Sequence, residues 1–192
     1  MREAKIKRKT KEVEVLGKLN LDGEGKTEVE TGIKFLNHIL DTIVKYSMID
    51  LTIKASGDLK HHLIEDVGIA IGSAILEALG EKKGIKRFGY AYAAMDEALA
   101  RTVIDLSGRP YAKINLKVYQ EEIEDVKAED VIHFFSSLAQ ASKSTLHIKV
   151  FYGVNAHHKI EATAKSFALA LKNAISIDEK LKGKIPSVKE AL

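Results

Sequence analysis

The chain has no cysteine, no tryptophan and only two prolines among its 192 residues. Without cysteine it has no disulfide framework, no thiolate nucleophile and no cysteine-based zinc finger. Any metal ion that the protein binds must therefore be held by nitrogen and oxygen ligands.

Long apolar runs and an excess of charge of one sign are also missing. The longest apolar stretch, Val67–Leu76, is far shorter than the roughly 18 residues that a membrane span requires. Residues 1–5 lead into mixed charges, unlike the apolar core of a signal peptide. Thirty basic residues nearly balance twenty-seven acidic ones, for a net charge of +3, so nucleic-acid binding is not indicated. These features predict a cytoplasmic protein without a membrane or nucleic-acid partner.

What the sequence does contain is a His-His-x-x-Glu motif that occurs twice. The first copy covers residues 61–65 and the second covers residues 157–161, 96 positions later. Four of the seven histidines lie in these two motifs. Neutral imidazole and carboxylate are ligands for divalent first-row metals. The pattern therefore predicts a duplicated domain that holds a two-metal site.

The duplication extends beyond the histidine motifs. Leu51–Lys54 matches Leu146–Lys149, and the segment that begins at Glu12 matches the one that begins at Glu97. The offset between the copies grows by about ten because the second copy carries an acidic insert, Glu121–Asp125. Repetition on this scale indicates a duplicated half-domain and not a solenoid.

Each copy has the pattern strand, strand, helix, strand, helix. Val13–Leu16 and Lys113–Val118 alternate at period two, as strands do. Apolar residues recur at helical spacing from Ile64 to Ala78, and Gly80 follows as a predicted C-cap. We therefore predict an α+β fold of duplicated half-domains related by pseudo-twofold symmetry. Its sheets carry helices on one face, as in domain 2 of ribosomal protein S5.

The predicted organisation is a single globular unit. Its first half-repeat covers residues 1–90 and its second covers residues 91–180. A C-terminal tail, residues 181–192, follows. The lysine-rich segment from Asp178 to Leu192 is expected to be less ordered.

The spacing within each motif divides its ligands between two metals. On a helix, residues i and i+4 share a face, so His61 and Glu65 can hold one ion. His62 lies about 100° round the helix from His61, so the two histidines serve different ions. With the second motif behaving likewise, each metal receives a histidine and a glutamate from one copy and a histidine from the other.

Two further histidines are related by the repeat. His38 and His133 can each add one ligand, which gives about four protein ligands of type His3Glu per metal. Such sites suit manganese or iron as well as zinc. His147 matches Thr52 in the first copy, so we interpret it as a strand residue and not as a ligand.

Several longer blocks carry a resemblance to a known family that covers the chain from about Ile6 to its C-terminus. Besides the two histidine motifs, the blocks are Leu19–Gly23, Thr31–His38, Met95–Leu99, Asp105–Pro110 and Ile185–Ser187. On these blocks the chain resembles the imidazoleglycerol-phosphate dehydratases of histidine biosynthesis. The resemblance implies two Mn²⁺ per active site, duplicated halves and trimers that assemble into a homo-oligomer of 24 subunits. It also implies active sites between subunits.

The resemblance assigns roles to individual positions. The implied metal ligands are His38, His61, His62, Glu65, His133, His157, His158 and Glu161. The implied substrate-binding residues are Glu12, Arg87, Arg109, Ser187 and Lys189. Arginines, a lysine and a serine hydroxyl form a phosphate clamp, to which the C-terminal tail contributes.

The sequence departs from the family pattern at several positions, although no metal ligand is lost. Asn37 stands where the family commonly has Asp, and Tyr46 where it has His. Compared with the family, the loop Asp58–Lys60 is slightly short and lacks an Asp that the family usually has in addition. The other departures are Leu63, Ala94, Ala164 and Glu190.

The expected reaction is dehydration of D-erythro-imidazoleglycerol phosphate to imidazoleacetol phosphate and water. The hydrogen that must leave is barely acidic, so the substrate imidazole is expected to accept charge as an imidazolate bound to two manganese ions. Glu12 is the first candidate for the catalytic acid and base, and its repeat counterpart Glu97 is the second.

Three other classes of protein remain open at this point. A metal-dependent hydrolase also uses dinuclear His/Glu sites, but it would release phosphate. A metal-storing or shell-forming protein would bind metal without turnover and would give no role to Arg109 or Lys189. An RNA-binding module is disfavoured by the nearly balanced charge.

Overall fold

A computed structural model describes residues 2–189 of the chain. The first half contains β1 (Glu3–Lys9), β2 (Val13–Asn20), β3 (Thr27–Glu30), α1 (Lys34–Ser47), β4 (Asp50–Gly57) and α2 (Lys60–Leu79). The second half contains β5 (Phe88–Met95), β6 (Ala98–Asp105), β7 (Tyr111–Asn115), β8 (Glu122–Ile123), β9 (Val126–Lys127), α3 (Ala128–Ala141), β10 (Thr145–Tyr152) and α4 (Ala156–Ile175). A short 3-10 helix, Glu179–Leu181, follows.

The two halves repeat the same order of elements, as predicted, but each has three strands of its four-stranded sheet before its first helix. The prediction had two. The strand β3 has the sequence TEVE and mostly exposed side chains, so it lacks the apolar alternation that identifies a strand. The short antiparallel pair β8–β9 is an addition to the second half, and it coincides with the acidic insert that shifts the repeat offset.

Each half forms one four-stranded sheet with the same topology. The strand order is β1-β2-β4-β3 in sheet 1 and β5-β6-β10-β7 in sheet 2. Neighbours are antiparallel except for the last pair of each sheet, β4 with β3 and β10 with β7, which is parallel. This correspondence supports the predicted α+β duplication.

The helices lie on the inner face of each sheet and pack against the helices of the other half. The helix α2 packs on sheet 1 and on α3, while α4 packs on sheet 2 and on α1. One large apolar core therefore contains residues from both halves. At its centre the rings of Phe134, Phe135 and Phe167 are almost fully buried and meet edge to face.

The contact between α2 and α3 depends on glycine. A β-carbon at Gly68 would lie 2.6 Å from the carbonyl oxygen of Phe134, and one at Gly72 would lie 2.4 Å from that of Leu138. Glycine in a helix interior costs about 1 kcal/mol relative to alanine, so its presence here reflects close approach of the two backbones. This packing brings the first turn of α2 next to the first turn of α3.

The ends of the elements agree with several expectations from the sequence. The C-cap of α2 is Gly80, which has a φ of 51°. Residues 178–189 contain the short 3-10 helix, and the carbonyl oxygen of Pro186 accepts a hydrogen bond from Arg87. Glu190 lies outside the described residues. Within residues 2–189, no helix is both long and apolar enough to cross a membrane.

Candidate metal centre and phosphate cluster

The four motif histidines lie in the first turns of two repeat-related helices. His61 and His62 begin α2, and His157 and His158 begin α4. The helix α4 has a side-chain cap, since Asn155 accepts a hydrogen bond from the backbone N–H of His158. Each copy of the motif thus places a pair of imidazoles in the first turn of its helix.

Three predicted ligands converge at the start of α4, and we call them the first half-site. His38, His157 and Glu161 each offer a ligand atom within 4.8 Å of the others. The Glu161 carboxylate lies 3.3 Å from Nε2 of His38 and 3.4 Å from Nε2 of His157. The sequence predicted that His157 and Glu161 share an ion and that His38 adds a ligand, but the motif histidine of the other copy, which it also predicted, is not in this group. The ring of Phe35 packs beside both imidazoles.

The repeat-related second half-site lies at the start of α2. The rings of His61 and His133 meet edge to face with their centroids 4.9 Å apart, and Glu65 follows one turn after His61. Among residues 2–189, these three side chains are not brought together within 4.8 Å as those of the first half-site are. The two half-sites are therefore related but unequal.

Each of the four motif histidines has Nδ1 beside a carboxylate. The partners are Asp130 for His61 at 2.6 Å, Asp58 for His62 at 2.9 Å, Glu124 for His157 at 3.1 Å and Glu97 for His158 at 2.7 Å. A carboxylate at Nδ1 fixes the tautomer with the proton on that nitrogen, so Nε2 remains available to a metal ion. This donor set fits divalent metals that accept nitrogen and oxygen ligands.

His62 and His158 do not join either half-site within one chain. His62 belongs to a separate group with Glu12 and Asp58, and His158 is held against Glu97. These carboxylates raise the pKa of both histidines, the largest cause being the hydrogen bond that His62 donates to Asp58 and that His158 donates to Glu97. One chain therefore supplies three converging ligands to the first half-site, and not the four that the sequence predicts for a complete site.

Glu12 and Glu97 occupy equivalent repeat positions but have different surroundings. Glu97 accepts hydrogen bonds from His158 and from the backbone N–H groups of Val154 and Asn155. The His158 bond, aided by the two backbone bonds, lowers the pKa of Glu97 to about 2. Glu12 lies 3.6 Å from Nδ1 of His62, and its side chain is largely exposed. Glu97 thus has the surroundings of a fixed anchor, while Glu12 can reach a ligand.

Lys165 is a neighbour of the first half-site that sequence reasoning missed. It lies one turn after Glu161 and its ammonium is 2.8 Å from the Glu161 carboxylate. Burial opposes ionisation of Glu161, but hydrogen bonds from Lys165 and His38 hold its pKa below the usual value. The same ammonium lies over the ring of Tyr46. The i, i+4 spacing from a predicted ligand was the available signal.

Three of the four carboxylate partners also had no local signal in the sequence, and one of them is Glu97, which lies 61 residues from His158. Asp58 precedes His62 by four residues, which is a helical spacing. Asp130 lies 69 residues from His61, and Glu124 lies 33 residues from His157. Packing of the two halves brings Asp130 to His61, and the turn between β8 and β9 brings Glu124 to His157.

The predicted phosphate-binding residues gather at the other end of sheet 2. Arg87 binds both carboxylate oxygens of Asp105, at 2.7 and 3.1 Å, and donates to the carbonyl oxygen of Pro186 at 2.9 Å. That last bond places the tail residue Ser187 beside the cluster. Arg109 is exposed and lies 4.0 Å from Asp105. The backbone N–H of Lys189 donates to the Ser187 hydroxyl, so the two tail residues are linked.

The metal ligands and the phosphate cluster are far apart within one chain. His157 lies at the start of α4, whereas the backbone N–H of Arg87 donates to the carbonyl of Ala174 at its end. A helix of 20 residues is about 30 Å long at roughly 1.5 Å per residue. A small phosphate ester cannot span that distance. The two groups can act on one substrate only if different chains supply them.

Comparison with known proteins identifies relatives over the whole chain. The family model described as imidazoleglycerol-phosphate dehydratase matches residues 31–171. The chain is similar to the imidazoleglycerol-phosphate dehydratase of Hydrogenovibrio crunogenus, with 46% identity over the full length of both chains. It is also similar to that of Clostridium kluyveri, with 47% identity over 95% of this chain and 96% of the relative.

Two solved structures have a similar fold. The crystal structure of the Staphylococcus aureus imidazoleglycerol-phosphate dehydratase has a TM-score of 0.84 and 36% identity, over 92% of this chain and 99% of that one. A Pyrococcus furiosus structure, of IGPD in complex with (S)-C348, has a TM-score of 0.85 and 34% identity. It covers 97% of this chain and 99% of its own.

Proposed function

The chain belongs to the imidazoleglycerol-phosphate dehydratase family of histidine biosynthesis, and from this premise we propose how it performs that dehydration. It removes water from D-erythro-imidazoleglycerol phosphate to give imidazoleacetol phosphate, as a manganese-dependent hydro-lyase. The observation that carries the proposal is the doubled half-site, in which each motif histidine has Nδ1 held by a carboxylate.

Two Mn²⁺ ions fit the donor set of the two half-sites. His38, His157 and Glu161 would hold one ion, and His61, His133 and Glu65 would hold the other. Nε2 of His62 and Nε2 of His158, the latter 3.9 Å from Asp96, would complete the half-sites of a neighbouring chain. When bound, the metals would act as Lewis acids that lower the pKa of the substrate imidazole, so that the ring could accept charge as an imidazolate.

Glu12 is the proposed catalytic acid and base. Its carboxylate is exposed and lies beside the metal ligand His62, so it can approach the diol side chain of a substrate bound there. Glu12 takes up the carbon-bound proton and gives a proton to the departing hydroxyl, which leaves as water. The enol that remains tautomerises to the ketone by moving its hydroxyl proton to carbon. Proton transfer by a positioned side chain contributes about 10²- to 10⁴-fold to a rate. Glu97 acts instead as the residue that orients His158.

The phosphate cluster holds the other end of the substrate. Arg109, Ser187 and Lys189 bind phosphate oxygens, since charged donors make strong hydrogen bonds to them. Arg87 contributes its charge and also fixes the tail through the carbonyl of Pro186. The clamp positions the imidazole against the metals and thereby lowers the entropic part of the barrier.

The separation of about 30 Å along α4 supports an active site shared between chains. We propose a homo-oligomer, with 24 subunits built from trimers as the resemblance implies. The outer face of sheet 2 supports this proposal, because it exposes Phe88, Tyr90 and Tyr92 over more than half of their surface. Apolar faces of this kind often mark protein interfaces.

Removal and return of metal test the proposal. The protein is stripped with chelator and assayed for formation of imidazoleacetol phosphate with and without added Mn²⁺. We expect activity only with the metal, and about two Mn²⁺ bound per chain. Release of inorganic phosphate would instead indicate a hydrolase. Full metal loading without any turnover would indicate a storage protein, and both results would contradict the dehydratase proposal.

A further inference from the structure

The insert hairpin, residues 121–127, touches the first half-site through two adjacent acidic residues. From its geometry we infer that Glu124 and Asp125 are positioning residues that make the two metal sites of this chain unequal in affinity. The inference rests on the proposed dimetal function and deepens it. It concerns how this chain orients its ligands, and not which residues ligate.

The hairpin is anchored well enough to hold other groups in place. Ile123 and Val126 pair across β8–β9 and both are buried in the main core. The backbone N–H of Ala128 donates to the carbonyl of Glu121 and closes the base of the hairpin. The turn residues Glu124 and Asp125 are therefore fixed relative to the helices around them.

Glu124 contacts His157, and its own backbone has an unfavourable conformation. Its φ is 55°, in the left-handed region where a β-carbon is disfavoured and glycine is the usual residue. Its carboxylate lies 3.1 Å from Nδ1 of His157. Backbone strain of this kind is found at functional sites, where the side chain it presents has a role. The short distance from its carboxylate to Nδ1 therefore indicates that Glu124 orients His157.

Asp125 positions the helix that carries His38. Its two carboxylate oxygens accept hydrogen bonds from the backbone N–H groups of Lys34 and Phe35, at 2.8 and 3.0 Å. The N-cap residue of α1, Ile33, offers no side-chain cap of its own, so Asp125 caps the helix from the other half of the molecule. Glu124 and Asp125 thus hold His157 and His38, two of the three ligands in the first half-site.

The second half-site is held in a different way. The carboxylate on His61 comes from Asp130, which is 3% exposed and lies in the first turn of α3. Asp130 also accepts a hydrogen bond from the backbone N–H of Lys127, so it is itself oriented by the helix start. His61 is therefore fixed by the buried carboxylate of Asp130 in a helix, whereas His157 is fixed by the exposed carboxylate of Glu124 in a turn. The first site should depend on the Glu124 carboxylate, whereas the second should not.

The test is a Mn²⁺ titration of the metal-free native assembly by calorimetry, with the free ion as the probe. Loss of a carboxylate that orients a metal-ligating histidine typically costs 10- to 100-fold in metal affinity. We expect two classes of site in the unchanged protein. Glu124→Gln should weaken one class by that factor and leave the other within about twofold.

Two further variants distinguish positioning from general damage to the hairpin. Glu124→Gly removes the carboxylate but suits the positive φ, so it should weaken the same site while the melting temperature of the metal-free protein holds or rises. Glu121→Gln removes the same charge from the hairpin base and should change neither affinity.

Several outcomes would overturn the inference. These are equal weakening of both classes by Glu124→Gln, no weakening of either, or a loss of affinity in Glu121→Gln of the same size. An unchanged protein that binds no Mn²⁺ would overturn both this inference and the proposed function. If it binds two ions without turnover, only the proposed function fails, and the affinities still decide the role of Glu124.

Discussion

Two glutamates at equivalent repeat positions have acquired different surroundings. Three donors surround Glu97, namely one imidazole and two backbone N–H groups, and its pKa is lowered to about 2. In the first half, Nδ1 of His62 lies 2.9 Å from Asp58 and 3.6 Å from Glu12. The imidazole is therefore paired with Asp58 and not with Glu12. Glu12 is thereby left free to exchange a proton with a ligand.

Substitution of each glutamate should separate catalysis from metal binding. Glu12→Gln should lower kcat by about 10²- to 10⁴-fold, the usual contribution of a general acid or base, with the bound manganese unchanged. Glu97→Gln should lower manganese affinity by about 10- to 100-fold. The introduced amide can donate to Nδ1 of His158, which would move the imidazole proton to Nε2 and block the metal-binding atom.

Steady-state kinetics and metal analysis of the two variants check this assignment. If Glu97→Gln keeps its manganese and loses turnover while Glu12→Gln loses its metal, the roles of the two residues are reversed. An active Glu12→Gln variant would remove Glu12 from the reaction altogether.

At the scale of elements, the packing of α2 on α3 positions the second half-site. Gly72→Ala would place a β-carbon 2.4 Å from the carbonyl oxygen of Leu138 and 2.9 Å from the β-carbon of Ala141. Overpacking of this kind typically costs 1–3 kcal/mol, which exceeds the gain of about 1 kcal/mol in helix propensity. We expect a net loss of stability in urea denaturation of the metal-free protein.

The neighbouring exposed residue Ser73 provides the control for that variant. Ser73→Ala lies on the same helix but faces solvent, so it should leave stability unchanged or slightly improved. A stable Gly72→Ala protein would mean that α2 and α3 can separate at little cost. The pairing of His61 with His133 would then need another explanation.

An ion pair near the N-terminus joins the two halves and makes stability depend on pH. Asp22 accepts hydrogen bonds from the backbone and the side chain of Arg2, and Arg2 also donates to the carbonyl of Ile175 at the end of α4. The hydrogen bond from the Arg2 side chain lowers the pKa of Asp22, although burial opposes it.

The sign of the effect follows from that lowered pKa. The folded chain binds a proton at Asp22 less readily than the unfolded chain, so the stabilisation is complete above the ordinary pKa of about 3.9. It is lost as the pH falls through the lower folded value. Asp22→Asn should therefore be less stable at pH 7, by no more than about 1 kcal/mol because the pair is partly exposed. The gap should close in acid, and a gap that persists at pH 2 would contradict this account.

The sequence predicted those elements whose pattern is local. The helix that ends at Gly80 has apolar residues at helical spacing throughout, and the structure confirms it. The strand β3 was missed because its polar side chains leave no alternation to detect. The junction of His38 with His157 depends on α1 packing against α4, which no local pattern encodes. The duplicated motif was informative because symmetry related two distant segments before any contact was known.

At the scale of the whole molecule, the outer faces of the two sheets have opposite character. The outer face of sheet 1 is charged, with exposed Lys5, Lys18 and Lys54. On sheet 2, Tyr92 is exposed and stacks on Phe151 with ring centroids 5.7 Å apart. Since the metal ligands and the phosphate cluster lie about 30 Å apart within one chain, the aromatic face is the surface on which we expect neighbouring copies to meet.

A charge placed on each face tests this arrangement of the assembly. Tyr92→Glu should reduce the particle, measured by light scattering, from the mass of 24 chains of 21.2 kDa to smaller species. Burial of an unpaired carboxylate in an interface is strongly unfavourable. The smaller species should also bind manganese more weakly, because the histidines His62 and His158 of neighbouring chains would no longer complete its half-sites. The matched variant Thr52→Glu adds the same charge to the outer face of sheet 1 and should leave the particle intact.

If Tyr92→Glu keeps the full mass, neighbouring copies meet elsewhere. If it dissociates with its manganese affinity unchanged, each chain completes its own metal sites and the shared active site is wrong.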